Sequence, residues 1–423
     1  MRNWRMSAAQ LRALQDAKLQ AMVRHAHEYV PYYRSLFSAA KLFPEDVRTV
    51  EDLARVPVTT KADLKRAGLQ AIIATGTDAS SCHKSRTSGT TGNQFDVYLS
   101  PWEQTLRRLV RFRAYHAMGL RPLDRLCVLG PGEPDRPADR GVLSLYRRRF
   151  ISVLLPVEEQ LRLLQQAQPT ILRVWPTVFR SLLQHIEFRL DQVSRPWALI
   201  HTAELLDRSL KQKVATDWDV EWFNFYAATE FDEIACECRA RKGLHVQADQ
   251  LILECLREDG QPTKPGEHGS VVITSLSART MPFIRYRLGD ICSTIGRPCS
   301  CGCAFPLIEA PLGRQEDVVR LPSGRLRSVL GLGILVDGVD GIDRYRFIQQ
   351  SHDHLTVKLV LCRDVEEQTL QAFRARIQQY LGEPICVDVQ VVDQLPEPNL
   401  KFRKFISKVV EADGPEPLPS EGG

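Results

Sequence analysis

At 423 residues the chain exceeds the roughly 250–300 at which one hydrophobic core usually divides, so two folded units are expected, one of them large. Hydrophobic residues at 43% and charged residues at 25% exclude a disordered or fibrous chain. With Lys plus Arg at 56 against Asp plus Glu at 51, the net charge of +5 is too mild to demand an anionic partner.

No apolar run approaches the ~20 residues of a membrane span. The N-terminal stretch MRNWRMSAAQLRALQDAKLQ is amphipathic and charged, with no signal-peptide apolar block. A cytoplasmic protein that makes no membrane contact is therefore expected. Its eleven cysteines, irregularly spaced, read as thiols or metal ligands rather than as a disulfide framework.

In chain order, Leu11, Leu14, Met22 and Val23 predict an amphipathic helix over 7–28, ended by Pro31. Thr60 as N-cap and Gly68 as terminator bound a second helix, and Pro101 opens a third over 101–118. Short apolar runs at 126–130, 151–156, 198–203 and 220–227 then alternate with helical stretches, the pattern of an α/β layered domain. From about residue 245 the period changes to two, in LHVQADQLILECL and GSVVITSL, which predicts antiparallel β-structure. Strands at 344–349 and 355–362, a helix at 365–381 and a strand at 385–392 predict a small α+β domain. The expected fold is thus a large layered α/β domain with mixed sheets (1–315), a small C-terminal α+β domain (316–412) and a disordered tail (413–423). No internal repeat is present.

Thr87-Ser88-Gly89-Thr90-Thr91-Gly92 sets two glycines among four hydroxyl residues. Glycines let backbone N–H groups approach an anion and hydroxyls add donors, so the loop suits phosphate oxygens. No Lys follows the second glycine, so it is not a Walker A loop, and alone such a hexamer is more often a surface turn. Downstream order changes that weighting. Asn224-Phe225-Tyr226-Ala227-Ala228-Thr229-Glu230 offers an aromatic face for a base, a hydroxyl, and a carboxylate suited to Mg²⁺ beside phosphates. Arg285-Tyr286-Arg287-Leu288-Gly289-Asp290 adds a carboxylate for ribose hydroxyls. Gly313-Arg314-Gln315-Glu316-Asp317 follows at the domain boundary, and Asn399-Leu400-Lys401-Phe402-Arg403-Lys404 supplies a cation beyond it.

Cys236, Cys238, Cys299, Cys301 and Cys303 fall in two short groups with His245 between them. Four thiolates, or three and an imidazole, close a tetrahedral Zn²⁺ site with no open position, which points to a structural role. Cys238, Cys299 and Cys301 are the expected ligands, completed by Cys236 or His245, with Cys303 in reserve. Residues 107–149 hold eleven arginines but also acids, so a solvated face is expected there rather than a nucleic-acid surface; a contact to a CoA phosphate or an acidic carrier protein is the lesser alternative.

In this order the motifs resemble those of adenylate-forming ligases, and YVPYYRSLF, VPVTTKADL, PFIRYRLGDI and FRKFISKVV narrow the resemblance to the phenylacetate–CoA ligase group and its deazaflavin-adenylating relatives. It extends from about residue 20 to 410. The resemblance implies that an acid is activated by ATP to an acyl-adenylate and then passed to CoA, with a phenylacetate-like aryl acid as first expectation. The alternatives are amide formation with an amine acceptor, cofactor adenylylation, or a nucleotide-binding homologue without turnover. It implies further that 87–92 hold the β- and γ-phosphates and that Ala203, Glu204 and Tyr226 contact adenine. Thr229 would meet the α-phosphate, Glu230 ligate Mg²⁺, Asp290 bind the ribose, and Arg314 lie near ribose or phosphates. Lys401, on a mobile lid hinged near Glu316–Asp317, would reach the α-phosphate during adenylation. Acid-pocket walls are expected at Trp175, Pro176, 200–205 and 222–228. Relatives carry a structural zinc in the cysteine region, and homodimers are common in the group. Here Ala227 and Leu400 stand where the group usually has glycine.

Overall fold

The computed structural model describes residues 2–87, 94–130, 147–187, 189–202, 208–314, 318–395 and 403–409. They divide into two compact units, Met1–Leu206 with Leu210–Pro311, and Asp207–Ser209 with Leu312–Gly423.

In the first unit the helix Ala8–Tyr29 begins where the Ser7 hydroxyl accepts from the Gln10 N–H while Gln10 Oε1 accepts from the Ser7 N–H. These reciprocal bonds satisfy two backbone donors that a helix start otherwise leaves unpaired. Leu11, Leu19, Met22, Val23 and Ala26 form its buried stripe. Pro31 ends this helix as expected but also opens another, Pro31–Ala39, because its missing N–H costs nothing in a first turn. Thr60 and Asp63 cap Lys61–Ala67 in the same reciprocal way, and Gly68 closes it at φ +78°. In Pro101–Met118, Glu103 returns a bond to Ser100, and its second oxygen accepts from the N–H groups of Arg279 and Thr280, at 2.6 and 2.9 Å. One buried carboxylate thereby caps its own helix and fixes a distant loop.

Eleven strands form one sheet, in the spatial order Leu251–Leu256, His268–Ser275, Tyr286–Ile295, Leu307–Ile308, Leu244–Val246, Asp232–Glu237, Glu221–Ala228, Ala198–His201, Ile171–Val174, Arg125–Gly130, Arg147–Ser152. The last five are mutually parallel and the rest antiparallel, so the mixed sheet expected from the switch in period is present. Being covered on both faces, the inner parallel strands are largely apolar, whereas the edge strand Arg147–Ser152 opens with three arginines. One face packs on Leu164, Phe179, Leu183 and Val214, the other on Ala114, Tyr115 and Met118 of Pro101–Met118. Glu221–Ala228 is the junction, parallel to one neighbour and antiparallel to the other.

The second unit has a four-stranded sheet in the order Cys386–Val391, His354–Leu361, Ile342–Ser351, Phe405–Ser407. Phe373, Ile377 and Leu381 of the helix Glu367–Leu381 pack with Phe347, Leu355 and Val357 of the sheet. Among the described residues no helix is long and apolar enough to cross a membrane.

Candidate nucleotide site and metal centre

Two segments far apart in sequence are tied by crossed phenol–carboxylate bonds. Tyr226 donates to Asp290 Oδ2 at 2.6 Å, and Tyr286 donates to Glu230 Oε1 at 3.0 Å. Each segment therefore supplies one tyrosine and one acid, and Tyr226, Glu230 and Asp290 are gathered into one locality. Local backbone irregularities place them. The register slips between Tyr226 and Ala227 at the end of Glu221–Ala228, and Tyr286–Ile295 bulges against Ser270–Val272, with Gly289 at φ +89° just before Asp290. Burial, followed by the adjacent Asp290 charge, raises the Tyr226 phenol well above its ordinary value, so it stays protonated and remains a donor. Arg107 donates to the backbone carbonyls of Thr229 (3.1 Å) and Glu230, holding this turn against the helix Pro101–Met118.

Thr87 closes the base of the glycine loop. Its N–H donates to the Phe95 carbonyl, and its hydroxyl accepts from the Phe95 N–H, both at 2.9 Å. Lys61 Nζ donates to the same hydroxyl at 3.0 Å. Thr59, two residues earlier, pairs through its backbone with Arg285 and Arg287, so this lysine is indexed to the Tyr286–Asp290 segment. Lys61 and Tyr286 were not assigned roles from the sequence. The signal lay in their positions, one just inside the capped helix and the other four residues before Asp290. Ser88, Gly89, Thr90, Thr91, Gly92, Ala203, Glu204 and Lys401 lie outside the described residues. Arg314 belongs to the short strand Gly313–Arg314 in the second unit. Of the other C-terminal lysines, Lys404 sits 4.9 Å from the centre of the Tyr345 ring.

A cavity beside the turn is lined by Glu103, Arg107, Val110, Glu230, Glu233 and Gln250. Glu233 is 2% exposed and neither carboxyl oxygen has a hydrogen-bond partner. Burial, and then the charge of Asp232, raises its pKa well above the carboxylate range, so the folded protein holds it neutral. The unfolded chain ionises near pH ~4.3. Because the folded value is raised, the penalty is absent below that pH and grows as pH rises toward the folded value. Glu233→Gln is therefore expected to leave the melting temperature nearly unchanged at pH 4 and to raise it at pH 8. An equal shift at both pH values would show that Glu233 is ionised in the fold.

Cys238, His245, Cys299 and Cys301 bring their ligand atoms within 4.8 Å of one another. The Sγ atoms of Cys238 and Cys299 are 3.7 Å apart, and Cys301 Sγ is 3.3 Å from His245 Nε2. A tetrahedral zinc with ~2.3 Å bonds to sulfur has edges near 3.8 Å, so the donor set fits that ion. His245 Nδ1 lies 3.3 Å from the Phe305 carbonyl, a contact that fixes the ring and directs Nε2 toward the thiols. Cys236 is not part of the quartet. Although its residue faces His245 across the strands, its thiol is buried in the apolar cluster with Ala114, Tyr115 and Phe225, where Gln247 donates to it at 3.5 Å. Cys303 is buried beside Leu11 and Phe305 and accepts from the Phe305 N–H.

The fold and this site define a protein of the adenylate-forming class. A family profile described as the CapK C-terminal domain matches residues 325–408. A phenylacetate–coenzyme A ligase of Thermus thermophilus is 30% identical over 73% of this chain and 71% of its own length. One of Escherichia coli is 27% identical over 67% of each. Among solved structures, a 2-hydroxyisobutyryl-CoA ligase in its postadenylation state superposes with a TM-score of 0.82 at 19% identity, covering 96% of this chain and 91% of that one. The chain belongs to the phenylacetate–CoA ligase family.

Proposed function

We propose that this protein is an AMP-forming acid–CoA ligase, joining a carboxylic acid to ATP as an acyl-adenylate with release of pyrophosphate, then passing the acyl group to the thiol of CoA with release of AMP. A phenylacetate-like aryl acid is the substrate class. The observation that carries this reading is the crossed pairing of Tyr226 with Asp290 and Tyr286 with Glu230, which assembles nucleoside- and phosphate-side groups from separate stretches of chain.

Both reactants of the first step are anions, so the barrier is largely electrostatic. The backbone donors of 88–92, with Thr87 at the start of the loop, and the Lys61 ammonium neutralise charge on the β- and γ-phosphates. Thr229 contacts the α-phosphate, and Glu230, oriented by Tyr286, holds Mg²⁺. Bound there, that ion draws charge from the phosphate oxygens. Asp290, oriented by Tyr226, takes the ribose hydroxyls, with Tyr226, Ala203 and Glu204 toward adenine and Arg314 near the ribose. Lys401 enters on the C-terminal unit for adenylation and leaves for thioester formation, so one site serves both steps. Incubation with phenylacetate, ATP, Mg²⁺ and CoA should give AMP and a CoA thioester by mass spectrometry. An amide when an amine is supplied, or a free adenylate with either acceptor, would reassign the second step.

We further propose a structural zinc held by Cys238, His245, Cys299 and Cys301. It fastens the strand that follows Glu230 to the segment that follows Asp290. Cys299→Ser is expected to abolish the one equivalent of zinc in elemental analysis and to lower the melting temperature, while Cys236→Ser keeps the metal. Zinc retained by the first variant and lost by the second would refute the quartet. The cytoplasm is the proposed compartment, in keeping with eleven cysteines of which none is in a disulfide.

A further inference from the structure

The parallel strand Ile171–Val174 carries an arginine where its neighbours carry apolar residues. Arg173 is in register with Val128 and Ile200, and Ile200 with Phe223, so its side chain shares the face covered by the helix Pro101–Met118. It leans toward the carboxyl ends of the strands. Its guanidinium lies 4.3 Å from the centre of the Phe225 ring, two residues beyond its own register position. In parallel sheets that end is where ligands bind.

Arg173 donates one hydrogen bond, to the Tyr115 hydroxyl at 3.0 Å, and among the described residues no carboxylate lies within ion-pair distance of it. Its charge is felt by two acids, Asp232 and Glu233, neither of which bonds to it. Asp232 is held by Arg111 at 2.5 and 2.7 Å, and Glu233 is a buried carboxyl without hydrogen-bond partners. A guanidinium has five N–H donors. Among the described residues none of Arg173's nitrogens is both fully buried and unpartnered, and the residue is only partly buried. A half-buried cation set among aromatic rings, with donors to spare, is suited to an anion arriving from outside the protein.

The position relative to the reacting end is equally defined. Strand Glu221–Ala228 runs from Phe225 to the Thr229–Glu230 turn, about 13 Å at ~3.3 Å per residue. Helix Pro101–Met118 spans the same interval from Tyr115 back to Arg107, which holds that turn, about 12 Å at ~1.5 Å per residue. We propose that Arg173, positioned by Tyr115 and Phe225, forms the far wall of the acid pocket, and that the acids activated here carry a second carboxylate remote from the reacting one. This rests on the acid-activation reading above and restricts it to dicarboxylic acids with an aromatic or similarly apolar middle.

The test compares 4-carboxyphenylacetate with phenylacetate as substrates of the wild-type enzyme, Arg173→Met and Arg173→Lys, as a ratio of kcat/KM values. That ratio is insensitive to any unfolded fraction of a variant. The wild type is expected to favour the dicarboxylate. Arg173→Met should lower the ratio about 10- to 100-fold, the effect of a lost hydrogen bond to a charged group, and Arg173→Lys should retain part of it. A wild-type preference for phenylacetate, or a ratio that Arg173→Met leaves within about twofold of the wild type, overturns the assignment while acid activation stands. Should neither acid be activated, calorimetric titration of 4-carboxyphenylacetate into wild type and Arg173→Met separates the two ideas. Binding that depends on Arg173 keeps the pocket and refutes the ligase chemistry; binding that does not, or none, refutes the pocket.

Discussion

Lys401→Ala is expected to lower acid-dependent exchange of pyrophosphate into ATP by about 10²- to 10³-fold, the usual cost of removing one preorganised charge-stabilising group. Transfer of a preformed acyl-adenylate to CoA should fall far less, because the role proposed for the lysine is confined to the first half-reaction. ATP binding should persist as well, since the proposed nucleotide-binding groups Glu230, Asp290 and 87–92 are untouched. Lys404 provides the comparison. Its ammonium already lies over the Tyr345 ring, so Lys404→Ala should affect the stability of the C-terminal unit more than exchange. If Lys404→Ala abolished exchange and Lys401→Ala did not, the two assignments would be reversed.

Arg113→Met should destabilise the large unit by about 3–5 kcal/mol, the range for stranding one partner of a buried ion pair. Arg113 is 7% exposed and Asp249 1%. They meet through two parallel bonds, Nη1 to Oδ2 at 2.6 Å and Nη2 to Oδ1 at 2.7 Å, and Gln247 also accepts from the guanidinium. Asn3 donates to Asp249 Oδ2, and Lys18 to its backbone carbonyl. The pair therefore joins the N-terminal segment, the helix Pro101–Met118 and the turn before Leu251–Leu256. Burial alone would raise the Asp249 pKa, but Arg113 and Asn3 outweigh it and hold the carboxyl below its ordinary value. With the folded value depressed, this stabilisation is complete above pH ~4 and is lost as pH falls through the folded pKa. Chemical denaturation should thus show a large deficit for Arg113→Met at pH 7, narrowing below pH 4, and the double variant Arg113→Met/Asp249→Asn should recover part of it. A deficit under about 1 kcal/mol at pH 7 would mean that solvent reaches Asp249.

Local signals made much of this molecule legible beforehand. The cap at Thr60, the glycine stop at Gly68 and the bounds of Pro101–Met118 are encoded within a few residues of where they act, and they fall where expected. Pro31 carries two meanings, since a residue that ends one helix can begin the next, and the sequence does not choose between them. The gathering of Tyr226, Glu230 and Asp290 was anticipated from motif order. The crossed hydroxyl–carboxylate bonds were not, because they depend on two bulges that periodicity does not reveal. The end of a strand separates Cys236 from the metal ligands. Alternation puts residues 236 and 238 on one face, but the strand ends at Glu237, so Cys238 leaves the ladder while Cys236 remains in the core. Lys61 and Arg107 act through contacts spanning 26 and 122 positions of chain, beyond the reach of any local pattern.

Acid-dependent exchange of labelled pyrophosphate into ATP, measured with Mg²⁺ and without CoA, bears most directly on the assigned chemistry. Label should enter ATP only when a suitable carboxylic acid is present, and Glu230→Gln should suppress it. Exchange that is independent of acid, or absent with every aryl mono- and dicarboxylic acid while CoA thioesters still form, would contradict an adenylate intermediate.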